Sequence, residues 1–503
     1  MRLSRISVFC LPLLLPCAAH ADDIGPAQAQ ALQRQLRDWL GGLLGSSVKL
    51  PELPWRITGE HDHYVFSWPI PGLTTSSGEA ATTADVRPLE GGRWSIDSLT
   101  WPPSGSFTMT VPDADEPGNS VPVNIDFTVG KQNTHGVIDP SLATASTVHA
   151  EIADLVVASD NRRQRQEQRF DHYVAETSLT PRPDGRLDLI SNGAVEGWKA
   201  ATQISSGMAM AIGGQALRVS SRIEGVNRAQ FAALMTAAGG LLGALPSDVS
   251  NKGAKTDLSP AARSQLRLLV GALQDLLASV SLEETVDGLQ VEIPNMGGMS
   301  MKHFLFGFGG EAPDGKLHAW VRVTLDDLAS PSLPPKIATY LPHHIEIKPS
   351  VSGVQTVDLH KLALDATEEG ANVGSLQPDI EALFSHGGIA LGVETLAFDL
   401  GPAKVDGTGQ VTVLSPENWH GEAHVTATGL DDLMTQARTN PDLQQALPVL
   451  VMLRGMAKPD GKKLVWDIAS DGPKVTVNGL DLSQMGGADK PTPDGKPGQK
   501  PKR

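Results

Sequence analysis

Pro313-Asp314-Gly315-Lys316, followed by Leu317-His318-Ala319-Trp320, is a turn running into a strand, and a chain that repeats it is built of hairpins. Proline presets the first turn dihedral and glycine takes the positive one, so the tetrapeptide has a physical reason to reverse the chain. The same grammar recurs at Pro183-Asp184-Gly185-Arg186 and Pro459-Asp460-Gly461-Lys462, each time ahead of a strand-like run. Between the turns lie short runs rich in Val, Ile, Thr, Trp and Phe, broken by Gly, Pro, Asn and Asp. They predict antiparallel strands, for example over 63–68, 94–99, 106–111, 123–129 and 147–157.

Helical spacing marks four stretches of the chain. Leu32, Leu36, Trp39, Leu40, Leu43 and Leu44 predict an amphipathic helix over 26–45. Phe231, Leu234, Met235, Leu241, Leu242 and Leu245 predict a second over 227–245. A third starts at Pro260 with Ser259 as its N-cap and carries Leu266, Leu269, Val270, Leu273, Leu276 and Leu277. The second and third together read as a helical hairpin laid on a sheet. A later insertion, 430–456, begins Leu430-Asp431-Asp432-Leu433-Met434 and holds Leu447, Leu450 and Leu453. Strand, glycine, helices and strand follow one another around both insertions, with a weaker copy between Trp320 and Ile347, which reads as a degenerate internal repeat. The expected fold is α+β: mainly antiparallel, curved β-sheet with hairpin meanders and amphipathic helices packed on one face. The expected organisation is a signal peptide over 1–21, the amphipathic helix within 22–50, a β-rich domain over 51–335 with the helical hairpin inserted, a second repeat-like β-rich domain over 336–485, and a Pro-, Gly- and Lys-rich tail over 486–503.

The first residues carry Arg2 and Arg5, then an apolar run from Ile6 to Cys17, then Ala19-His20-Ala21. That order is a secretory signal cleaved after Ala21, which predicts a periplasmic protein with no transmembrane segment. Pro16 before Cys17 argues against a lipid-attachment site. Both cysteines, Cys10 and Cys17, fall in the removed segment, so the exported chain has no disulfide, thiol nucleophile or cysteine metal ligand. The formal charge of −16 becomes −18 when Arg2 and Arg5 leave, a surface that repels nucleic acid.

No motif carries chemistry convincingly. Gly310 to Lys316 has the glycine and lysine spacing of a phosphate loop, but Leu317 stands where Ser or Thr must bind Mg²⁺, and a strand follows where a helix is required. His61 and His63 are expected on one face of a strand, and His343, His344 or Glu346 would be needed to complete a zinc site. Arg162, Arg163, Arg165 and Arg169 form the one basic cluster, interleaved with Gln, Glu and Asn as in a solvated turn. Neither a Gly-x-Ser-x-Gly elbow nor a His-Glu-x-x-His helix occurs. The expectation is therefore no catalytic residue, no cofactor and no metal.

From Leu396 the chain reads Leu-Ala-Phe-Asp-Leu-Gly-Pro-Ala-Lys-Val-Asp-Gly-Thr-Gly-Gln-Val-Thr-Val, and from Gly421 Gly-Glu-Ala-His-Val-Thr-Ala-Thr-Gly-Leu-Asp-Asp-Leu. With Asp471-Gly472-Pro473, Val475-Thr-Val and Gly479-Leu480, this resembles the bacterial envelope family called domain of unknown function 2125 over about the last hundred residues before the tail. The wider texture is similar to AsmA-related envelope proteins. That resemblance implies a curved sheet with an apolar groove and a role in outer-membrane lipid homeostasis. It supplies no catalytic residue. The function expected is a non-enzymatic envelope protein binding lipid or another apolar ligand, with Leu266, Leu269, Leu273, Leu276, Leu447, Leu450 and Leu453 as candidate contacts. Alternatives are an adaptor for other envelope proteins and a metal-assisted hydrolase using His61 and His63.

Overall fold

The computed structural model describes residues 24–34, 56–75, 78–112, 120–139, 144–161, 163–204, 207–244, 258–294, 297–415 and 417–482. The expected signal peptide, the second half of the first helix and the tail lie outside the described residues. The strands are β1 (Arg56–Glu60), β2 (His63–Thr75), β3 (Gly78–Pro88), β4 (Trp94–Thr100), β5 (Ser104–Pro112), β6 (Ser120–Thr128), β7 (Gln132–Asp139), β8 (Thr144–Asp160), β9 (Gln164–Pro181), β10 (Leu187–Ile204) and β11 (Ala209–Val226). They continue as β12 (Ser279–Ile293), β13 (Gly297–Glu311), β14 (Lys316–Asp326), β15 (His344–Gln355), β16 (Ile389–Leu400), β17 (Ala403–Ser415), β18 (Asn418–Thr428), β19 (Lys458–Asp460), β20 (Lys463–Asp471), β21 (Lys474–Val477) and β22 (Leu480–Asp481). Helices are α1 (26–34), α2 (Arg228–Ala244), α3 (Pro260–Leu273), α4 (Pro335–Ala338), α5 (Thr356–Asp365), α6 (Val373–Ala382), α7 (Leu430–Thr439) and α8 (Leu447–Met456).

The strands form one open, curved, antiparallel sheet. From β8 to β18 each strand pairs with the next, and β20, β21 and β22 extend that end. On the other side β7, β4, β3, β2 and β1 follow β8 in that spatial order. The β5–β6 hairpin leaves the meander, and β6 takes the stretch Val156–Asp160 of β8, next to the part that β7 pairs with. The three Pro-Asp-Gly turns do what their chemistry predicts. Gly185, Gly315 and Gly461 have φ of 82°, 76° and 59° in the β9–β10, β13–β14 and β19–β20 connections. The same turn explains the apparent phosphate loop, since Gly310 lies within β13 and β14 starts at Lys316. β14 and β15 pair across residue 335, so the two expected β-rich units share one sheet.

β9, β10 and β11 are 18 residues each, about 60 Å of extended chain. Such long strands are crossed by one irregular row. Asp154, Gly197, Gly288 and Asp327 have φ of 54°, 60°, 61° and 51°, and they fall at one level on β8, β10, β12 and the end of β14. Only glycine suits position 197, because a Cβ there would lie 2.1 Å from the Asp171 carboxylate on β9. Apolar residues, two apart elsewhere, are three apart across this row: Ile152 and Leu155, Val195 and Trp198, Val286 and Leu289. The pleat is interrupted there and the alternation restarts one residue out of phase.

The helices occupy the connections. α2 and α3 link β11 to β12, while α5 and α6 link β15 to β16 at the same end of the strands. α7 and α8 link β18 to the β19–β20 hairpin at the opposite end. Ser259 caps α3 as expected, its Oγ accepting from the Ala262 amide at 3.1 Å. α3 packs against α2 and α5, and Arg263–Glu369 and Arg267–Glu368, each 3.0 Å, tie it to the segment after α5. The α5–α6 pair was not anticipated. Its one local signal is Asn372, whose side chain accepts from Gly374 and Ser375 in a capping box. The expected weak repeat before Ile347 contains only the single turn α4.

Candidate apolar face

Register decides which side chains share a face, because directly paired residues point the same way. One row reads Ile152, Tyr173, Val195, Leu217, Val286, Phe304, Leu325, Ile345, Phe398, Val405, Ala427, Leu464 from β8 to β20. Two residues along, on the same face, another reads Phe306, Val323, Ile347, Leu396, Gly407, Val425, Trp466. Phe308 and Val321 follow, then Val351 and Leu391. One face of the central sheet is thus apolar across a dozen strands.

The intervening rows point the other way and are charged. His303 Nδ1 lies 2.7 Å from Asp287 Oδ1, with Arg218 on the second oxygen. His344 and Asp326 are 2.6 Å apart, Arg322 and Glu346 3.0 Å, and Lys348 and Glu394 2.6 Å. The hydrogen bond with His303 and the charge of Arg218 hold the Asp287 carboxyl below the usual carboxylate range, against partial burial. Burial works against ionisation of Glu394, yet Lys348 and His318 together hold its carboxyl low. Trp320 lies across Gly309 on this face, and the Lys348 ammonium sits 4.9 Å from its ring centre.

Helices close the apolar face at its two ends. Ala29 and Leu32 of α1 cluster with Ile57, Tyr64, Phe66, Val86, Trp94 and Ile138. Leu430, Leu433, Leu450, Leu453 and Met456 of α7 and α8 cluster with Val425, Ala427, Leu464 and Trp466. The Trp466 indole donates to the Leu453 carbonyl at 3.0 Å. Between these ends the face stays accessible. Phe306 is 36% exposed, Phe308 and Val321 39%, and Leu391 51%.

Of the leucines expected to touch ligand, Leu450 and Leu453 therefore serve the terminal cluster, and Leu447 is half-buried at the start of α8. Leu266 and Leu269 are half-buried on α3, Leu273 is half-exposed, and Leu276, beyond the helix end, is buried. A cleft of about 430 Å³ between α2, α3 and α5 is lined by Leu268, Gly271, Ala272 and Leu364, and by none of those four. The open strand face was missed from sequence, although Phe304, Phe306 and Phe308 in alternation were its visible sign.

The histidines do not converge. His61 sits in the β1–β2 turn with φ 51°, not on the strand face with His63. His63 pairs with Asp62 at 3.0 Å and lowers its pKa, and Arg87 adds to the effect. His343 pairs with Asp327 and His344 with Asp326. Among the described residues no group of three or more His, Cys, Asp and Glu is placed to hold a metal ion. In the basic cluster Asn161 Oδ1 accepts from the amides of Arg163 and Gln164 to form the β8–β9 turn, and Arg169 pairs with Asp171 at 3.4 Å. No described helix is long and apolar enough to cross a membrane.

No protein-family model matches the chain, and no curated protein or solved structure is significantly similar to it.

Proposed function

We propose that this is a non-enzymatic lipid-binding protein of the cell envelope, which holds the apolar chain of its ligand on the open sector of the sheet. One observation supports the reading above all. From β8 to β16 a continuous apolar face has Phe306, Phe308, Val321 and Leu391 still 36–51% exposed. Contiguous apolar surface of more than a few hundred Å² on a soluble protein ordinarily marks a binding site. Nine strands at roughly 4.8 Å spacing span about 38 Å, and an acyl chain laid across them needs about 15 Å, half of a bilayer core. Export directed by residues 1–21 and kinship with the envelope family resembled by 396–433 belong to the same proposal and place it in the periplasm.

The test is to purify the chain from the periplasm after expression with its leader, extract it with organic solvent, and record native mass spectra before and after. Lipid in the extract and a matching loss of mass are expected. A clean extract together with failure to take up an apolar fluorophore overturns the proposal. An adaptor reading has its own support in Phe231, Met235, Leu268 and Leu273, 44–58% exposed on the α2–α3 hairpin. It predicts a copurifying protein in place of lipid.

A further inference from the structure

The open face carries one polar diagonal. Thr177, Ser191 and Ser221 stand opposite one another on β9, β10 and β11, and the Thr177 and Ser191 hydroxyls are 3.0 Å apart. Leu282 is opposite Ser221 on β12, and Glu284 is the next residue along the same face. Ser221 and Glu284, diagonal neighbours, lie about 7–8 Å apart, within reach of one small polar group, whereas Ser191 and Thr177 are one and two strands farther, at about 4.8 Å per strand. The side of Glu284 is established independently. A Cβ on Gly307 would lie 3.3 Å from Glu283 Cγ and 3.4 Å from Trp320, which puts Glu283 on the charged face and Glu284 on the other.

Glu284 is half-buried, with Val219 and Phe306 directly opposite it on either side. Among the described residues it has no hydrogen-bond or ion-pair partner. Asp287, Asp326, Glu346 and Glu394 on the charged face all have one. A carboxyl flanked by apolar side chains, with no donor of its own, leaves both oxygens available to a ligand. A donor brought by the ligand supplies the missing partner.

We propose that Ser221 and Glu284 are a headgroup site, with the Thr177–Ser191 hydroxyl pair continuing the polar strip beyond it, and that the ligand is a long-chain amphiphile whose polar end is a hydrogen-bond donor, an ammonium above all. Glu284 accepts from that donor and the Ser221 hydroxyl is the nearest second polar partner, while the chain runs over Phe304, Phe306 and Val323. A fatty acid meets the same carboxylate with like charge and is disfavoured. The inference rests on the apolar-chain reading above and adds the polarity of the ligand.

The experiment displaces a neutral naphthylamine fluorophore from the full exported chain with dodecylamine, dodecanol or dodecanoic acid at neutral pH. In the unaltered protein dodecylamine should displace at about tenfold lower concentration than dodecanoic acid, or better. Glu284→Gln should bring the two within about threefold, whereas Glu283→Gln, which removes the same charge from the opposite face, should leave the preference intact. Glu284→Leu should abolish the preference and keep fluorophore binding, since the carboxylate acceptor is gone and the apolar surface remains. Equal displacement by amine and acid in the unaltered protein overturns the headgroup site, as does a preference that survives Glu284→Gln or disappears in Glu283→Gln. If the fluorophore never binds, the apolar-chain reading itself has failed.

Discussion

Leu453 and the trio Phe306, Phe308 and Leu391 are all apolar, yet the proposed function gives them opposite duties. Leu453 packs with Leu430, Leu464 and Trp466, which are 6–7% exposed, so truncation to Ala opens a cavity that the neighbours close only in part. A loss of about 2–5 kcal/mol of stability is expected, with ligand binding unchanged. The trio, at 36%, 39% and 51%, leaves a little more than one whole side chain uncovered for a ligand to bury. Covering that much apolar surface contributes about 2–4 kcal/mol, equivalent to a Kd weakened roughly 30- to 800-fold when all three become Ser. Stability should fall less than in Leu453→Ala, because the lost surface was already partly wet. The assays are urea unfolding followed by tryptophan fluorescence and titration with an apolar fluorophore, run on both variants. The reasoning is refuted if Leu453→Ala releases the fluorophore with an unmoved unfolding midpoint. It is equally refuted if the triple variant loses as much stability as Leu453→Ala and still binds normally.

Two further outcomes follow from local geometry. Gly429 caps α7 with φ 70°, and a Cβ there would fall 1.7 Å from the Pro402 carbonyl oxygen, so Gly429→Ala should cost about 2 kcal/mol or more in chemical denaturation. Asp287, whose carboxyl is held low by His303 and then Arg218, stabilises the fold most fully above the ordinary aspartate pKa of about 4, and that contribution is lost as pH falls below it. Asp287→Asn should therefore unfold more easily than the parent at pH 6 and show a smaller further loss on acidification to pH 3; an identical acid response in both proteins would count against the assignment.

The hairpins were legible because their cause is local. A Pro-Asp-Gly turn needs no distant partner to reverse the chain, and Ser259 before Pro260 states a helix start within two residues. α5 and α6 were not, because each is ten residues long, Pro378 interrupts the second, and the capping signal at Asn372 is easily taken for a loop. The open face failed for a different reason. A helical stripe such as Leu266, Leu269 and Leu273 is visible within one element, whereas a sheet face exists only once register joins strands far apart in sequence. Counting every second residue fails as well, since the series changes phase at Asp154, Gly197 and Gly288. Glu284 looks ordinary in the string Leu282-Glu283-Glu284-Thr285. Pairing alone sends one of those glutamates to the charged face and its neighbour to the apolar one.

An exposed apolar sheet face is a hazard unless its edges are unavailable, because a bare edge recruits another strand and a bare face then stacks on its copy. Here the two ends of the main meander are short strands. β1 has five residues, alternates exposed Arg56, Thr58 and Glu60, and is approached by residue 24, whose amide donates to the His61 carbonyl at 3.0 Å. At the far side the outer edge of β20 is shared between β19 and β21, of three and four residues, and β22 has two. The longer exception is β5, nine residues, which beyond β6 pairs only through Ser106 with Thr74 of β2. The central strands, which carry the apolar surface, have both edges paired from β8 to β18, so the open sector can gather an apolar chain without offering backbone groups to a second sheet. On the proposed reading, paired edges around an open face are what let such a surface take up an apolar chain in place of a second sheet.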